Sequence, residues 1–153
     1  MSYKHVIVPL DGSPLAECVL PHLKNFGTEI GEVELVRVAC PVELHFKSGL
    51  PFDSKDEDKM TQAEVKEAGE YLERVKSKLE SWGLKVTTTV LIGQVADTLA
   101  DYLHKKEPDL LLLATHGRSG ASRWIWGSVA DKVLRSSDIP VFLIRPPGCN
   151  LGI

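Results

Sequence analysis

Apolar residues along this chain fall into two patterns that alternate from one end to the other. Short continuous runs, Val6 to Leu10, Val33 to Ala39, Leu110 to Thr115 and Val141 to Arg145, predict strands covered on both faces, with Arg37 a charged interruption in the second. Between the runs, apolar residues recur at spacings of three and four. Ala16, Val19, Leu20, Leu23 and Phe26 predict one helix face. Val65, Ala68, Leu72, Val75, Leu79 and Trp82 predict a second, and Val95, Leu99 and Leu103 a third. A last helix is expected over Ser128 to Ser136. Val86 to Ile92 is a further strand, rich in β-branched residues and more polar than the others, which suits a position near the edge of a sheet.

The punctuation agrees with these elements. Ser13-Pro14 reads as an N-cap followed by proline in the first helical turn. Pro21 must either kink the first helix or mark its true start. Thr61-Gln62-Ala63-Glu64 has the form of a capping box, Gly83 closes the helix that follows it, and Pro108 stops the next. Residues 41–60 hold Pro, Gly, Ser, Lys and Asp without sustained period, and predict a long loop beside the carboxyl edge of the sheet. Strands alternating with helices imply an α/β fold: three layers, α/β/α, around a five-stranded parallel sheet with right-handed crossovers. The 153 residues suit one domain, and no internal repeat suggests a second.

Composition narrows the function. Hydrophobic residues at 43% and charged residues at 25% are those of a soluble globular protein, and no apolar run approaches the roughly eighteen residues of a membrane span. The start, M-S-Y-K-H, carries no signal-peptide pattern, so the expected location is cytoplasmic. A net charge of −3 argues against nucleic acid as a partner. Cys18, Cys40 and Cys149 are odd in number and far apart, which suggests neither a disulfide framework nor a zinc site, and no metal-binding spacing surrounds any of the five histidines.

The chemistry is concentrated between Asp109 and Ser128, D-L-L-L-L-A-T-H-G-R-S-G-A-S-R-W-I-W-G-S, where a buried-type strand opens into a small-residue loop and then a helix. Gly117, Gly120 and Gly127 let main-chain N–H groups converge on an anion while the helix presents its positive end, which is phosphate-binding chemistry. No Gly-Lys-Ser/Thr follows and no G-x-G-x-x-G occurs, so neither common nucleotide fingerprint is present. The stretch resembles the motif of the nucleotide-binding universal stress proteins, Gly-x-x-Gly, nine residues, then Gly-Ser/Thr, with Ala114, Gly117, Gly127 and Ser128 in the matching places and alanine for the first glycine. V-I-V-P-L-D-G-S, from Val6 to Ser13, is similar to the family's first strand and its terminal acid, and P-V-F-L-I-R-P to its last strand.

The resemblance implies a Rossmann-like fold of the adenine nucleotide α-hydrolase type, strand order 3-2-1-4-5, with ATP at the switch point between strands one and four. It implies a nucleotide site made of Pro9, Asp11, Val38, Ala114, Gly117, Arg118, Gly127, Ser128 and Val129, with Asp11 near the ribose or helping to hold Mg²⁺ or Mn²⁺ with the phosphates. It also implies a homodimer paired through Val141, Phe142, Leu143, Ile144 and Arg145, which would cover an otherwise exposed apolar edge strand. Each residue has a plainer reading. Gly117, Gly127 and Ser128 could simply end a strand and cap a helix, Asp11 could be a turn residue, Val38 core, and Pro9 the end of a ladder. His116 has no evident nucleophile to act with, and Trp124 and Trp126 are expected to be buried.

No general base, arginine finger or water-positioning glutamine stands out, so an ATP-binding stress-response or signalling protein with slow hydrolysis at most is expected rather than an enzyme. The alternative is a family member that has lost nucleotide binding and acts as a dimeric interaction protein, with Ala114 as its supporting feature. A hydrolase or adenylate-transferring relative should carry S-G-G-x-D-S or H-I-G-H, and a receiver domain a second acid beside Asp11; all are absent.

Overall fold

The computed structural model of the chain describes residues 2–41, 54–115 and 128–146, apart from the side chains of residues 28, 54–56 and 128. The elements run β1 (Tyr3–Pro9), α1 (Pro14–Glu17), α2 (Leu20–Phe26), a 3₁₀ turn (Gly27–Glu29), β2 (Ile30–Ala39), α3 (Ser54–Glu80), β3 (Val86–Ile92), α4 (Val95–Lys106), β4 (Leu110–Ala114), α5 (Ser128–Ser136) and β5 (Val141–Ile144). All five strands are parallel, in the order β3-β2-β1-β4-β5. The expected α/β sheet and its 3-2-1-4-5 order are therefore present, with β3 at one edge as its polarity suggested.

Strand alternation divides the buried residues into two cores. Val6, Val8, Leu10, Val33 and Leu35 meet α1, α2 and α3 through Ala16, Leu20, Leu23, Leu72 and Leu79. Ile7, Val36, Leu111 and Leu113 face the other way, onto Leu99 and Leu103 of α4 and Ala130 and Val133 of α5. Burial of each of the Val, Leu and Ile side chains contributes about 1.5–3 kcal/mol.

Three boundaries differ from the sequence reading. The helix expected from Thr61 begins at Ser54, so Thr61 to Glu64 is helix interior rather than a cap, and the loop does not extend to residue 60. Residues 54–60, S-K-D-E-D-K-M, place acids near the positive end of the helix, which favours a start there, but they offer no apolar stripe to read. Strand β2 starts three residues before Val33, at Ile30, because Gly31 lets it approach β1: a Cβ there would lie 2.7 Å from the Lys4 carbonyl oxygen. Pro21 marks a start, since α1 ends at Glu17 and Pro21 lies in the first turn of α2.

Candidate functional site

The carboxyl edge of the sheet is shaped by how its ladders end. Pairing of β1 with β2 continues to Pro9–Val36, where Leu10 N–H donates to Val36 C=O at 2.8 Å. Pairing of β4 with β5 continues to Ala114–Ile144, and Thr115 N–H donates to Ile144 C=O at 2.8 Å. Between β1 and β4 the registered pairs are Val6–Leu110 and Ile7–Leu111. The next rung would need an N–H from Pro9, which has none. Since Leu111 and Thr115 donate toward β5, strand alternation directs the main chains of Leu112 and Ala114 toward β1. By the same alternation Val38, two residues beyond Val36, directs its peptide groups over the end of β1. The β1–β4 ladder therefore ends at the switch point, and Pro9, Val38 and Ala114 stand at the carboxyl edge around that end.

Just past β1, the Asp11 side chain closes a tight turn. Its Oδ1 accepts from Ser13 N–H at 2.8 Å and from the Ser13 hydroxyl, while Ser13 Oγ caps α1 by accepting from Ala16 N–H at 3.2 Å. Gly12 makes the turn possible with φ +84°. Below it lies Arg37, only 5% exposed, which contacts Glu67 Oε1 at 3.4 Å and sits over the Tyr71 ring with Cζ 5.2 Å from the ring centroid. Tyr71 in turn donates to Glu17 of α1 at 3.0 Å. Burial, reinforced by that bond to Glu17, pushes the Tyr71 phenol well above its ordinary range. Arg37 was visible in the sequence as a charge interrupting an apolar strand, but its neighbours were not.

Pro9, Asp11, Val38 and Ala114 thus come together at one edge of the sheet. Ala114 lies in a paired strand, and among the described residues Glu107 alone of the non-glycines has positive φ, so alanine is unstrained there. Ser128 is the first residue of α5, and Val129 packs on the α4–α5 core. A 2.9 Å ion pair joins Lys132 to Asp97 near the starts of α5 and α4. Gly117, Arg118 and Gly127, with Gly120, His116, Trp124 and Trp126, lie outside the described residues. Cys18 and Cys40 are half-buried, and burial pushes both thiols up, as expected of unreactive cysteines.

A second polar cluster occupies the opposite edge, around Glu34, which is 4% exposed. Its carboxylate accepts from Thr89 Oγ1 at 2.6 Å and from the Tyr102 hydroxyl, and lies 2.8 Å from His5 Nε2. Burial works to raise the Glu34 carboxyl, yet the hydrogen bonds from Thr89, Tyr102 and His5 prevail and hold it below the usual carboxylate range. Lys106, Thr87 and Glu32 complete an open cavity of about 400 Å³ there, and Glu32 is itself paired with Lys85 at 3.1 Å. These partnerships fasten β1, β2, β3 and α4 together.

A parallel sheet covered on both faces, with its strand order reversing at a switch point between β1 and β4, defines an α/β protein of the Rossmann-like class. The chain belongs to the universal stress protein family, whose profile matches residues 2–145. It is 33% identical over 147 residues to universal stress protein MJ0531 of Methanocaldococcus jannaschii, covering 95% of this chain and 84% of the relative. The solved structure of MJ0577, a universal stress protein of the same organism, superimposes with a TM-score of 0.83 at 26% identity, covering 97% of this chain and 99% of that one. The fold is shared with an Arabidopsis thaliana universal stress protein family member solved with AMP bound, with a TM-score of 0.66 at 15% identity over 95% of this chain and 93% of that one. It is shared also with a universal stress protein in complex with cAMP, with a TM-score of 0.63 at 16% identity over 94% and 98%.

Proposed function

We propose that this protein binds ATP at the opening between β1, β4 and the end of β2, and works as a nucleotide-dependent stress-response or signalling protein rather than as a turnover enzyme. The observation that carries this reading is the end of β1–β4 pairing at Pro9, where strand alternation leaves main-chain groups of Val38 and Ala114 directed toward the end of β1 beside Asp11. The N-terminus of α5, beginning at Ser128, adds the positive end of a helix dipole on the β4 side. Adenine nucleotides in two structural relatives favour the same ligand class.

Asp11 suits a cation that arrives with the nucleotide, because Mg²⁺ is commonly held by one or two carboxylates and substrate phosphates. Among the described residues no group of three His, Cys, Asp or Glu could hold a metal alone. Gly117, Arg118, Gly127, Ser128 and Val129 would complete the phosphate and ribose contacts, and a homodimer would pair through β5. No helix among the described residues is long and apolar enough to cross a membrane.

The test is to denature the purified protein and identify what it releases by chromatography and mass spectrometry, before and after incubation with ATP and Mg²⁺. An adenine nucleotide is expected. Its absence from both samples would overturn the reading in favour of an interaction protein that binds no nucleotide.

A further inference from the structure

Arg37 is in an unusual position for a charge. It continues the inward-facing series Val33 and Leu35, both fully buried in the core, and is itself 5% exposed. Removing a guanidinium from water is costly unless it is well paired. Its ion-pair contact with Glu67 is long, 3.4 Å, and reaches a side chain that is itself 66% exposed. Such a contact with an exposed partner offsets little of that cost.

The position is explained by what the guanidinium touches. A Cβ built on Gly12 would lie 3.1 Å from Arg37 Nη1, 3.3 Å from Cζ and 3.5 Å from Nη2. Three atoms of one plane at nearly equal distance mean that the guanidinium lies against the main chain of the turn, filling the space a side chain at residue 12 would need. Its position is fixed in turn by the Tyr71 ring, and Tyr71 is tethered to α1 through Glu17. Arg37 thus supports, from beneath, the segment whose Asp11–Ser13 bonds set the start of α1.

We infer that Arg37 is a positioning residue: the guanidinium plane packed under Gly12 holds the Asp11–Gly12–Ser13 turn in the shape that presents Asp11 to the nucleotide opening. The inference rests on the function proposed above for what is bound there, but the shape of the turn can be read without any ligand. A flat, delocalised cation does this better than lysine, whose ammonium is compact and strongly hydrated.

Arg37→Met and Arg37→Lys test it by two measurements on the full chain: amide exchange at Ser13 without nucleotide, and ATP affinity by calorimetry with Mg²⁺. Arg37→Met is expected to speed Ser13 exchange and to weaken ATP by about tenfold, the equivalent of roughly 1.4 kcal/mol. Arg37→Lys should fall between it and the parent in both, and carries the comparison alone should the methionine variant not fold. Parental exchange and parental affinity in the variants would overturn the inference, as would weakened ATP with unchanged exchange, which would make Arg37 a purely electrostatic contributor. If the parent binds no ATP while the variants exchange faster, the proposed function fails and the role of Arg37 in the turn stands.

Discussion

Ala114 stands where the family motif has glycine, and its backbone determines what that substitution means. It is the last residue of β4, paired with Ile144 and extended, so the position asks for small size and not for positive φ. Ala114→Gly should leave ATP affinity within about twofold, and should lower stability by a few tenths to about 1 kcal/mol through added chain entropy. Denaturant titration and calorimetry check both; a gain of about tenfold in affinity would reveal strain that an extended strand does not have. Glu34 makes the residue-scale case for pH dependence. Its folded carboxyl titrates below the unfolded one, so the stability it contributes is present above the unfolded value, about 4.3, and is lost as pH falls through the folded value. Thermal melts of the parent and Glu34→Gln should differ at neutral pH and converge as the pH is lowered through that window. A difference independent of pH would mean that the charge on Glu34 is not what its three partners stabilise.

At the scale of elements, the sequence was most legible where an apolar stripe or a run continues to the end of the element. The boundaries of β3 match the reading, and β4, β5 and α5 agree within a residue, because their apolar residues extend almost to their ends. The first seven residues of α3 were missed for the opposite reason: they are polar, and a Thr-x-x-Glu pattern downstream imitated a start. The two candidate caps therefore make opposite predictions. Ser13→Ala should cost about 1 kcal/mol, because Ser13 satisfies an N–H of α1. Thr61→Ala, within α3, should cost nothing or stabilise by up to about 0.5 kcal/mol through helix propensity. A cap-sized loss for Thr61→Ala in denaturant melts would mean that α3 frays back to Thr61 in solution. The site was legible in part. Pro9 and Asp11 could be seen as a strand end and a turn, but the missing β1–β4 rung depends on register between residues about a hundred positions apart, and Arg37 depends on Gly12 and Tyr71, which no local pattern joins to it.

For the whole molecule, strand order decides where a ligand and a partner can go. That order came from the resemblance; alternation of strands and helices alone allows several orders, and the sheet realises the one with a switch point between β1 and β4. The same order leaves β5 at an edge, with Phe142 43% exposed and edge-to-face with Phe26 at 5.7 Å between ring centroids. An apolar edge of this kind favours pairing with a second chain. For the homodimer proposed here, Phe142→Asp should shift the protein toward monomer in sedimentation while leaving the far-UV spectrum unchanged; a parent that sediments as a monomer at all concentrations would rule out that pairing. ATP binding at the switch point is measured by calorimetric titration of the parent protein with ATP, with and without Mg²⁺. Saturable binding at one site per chain, tightened by the cation, is expected. No heat and no thermal stabilisation at millimolar ATP would contradict it.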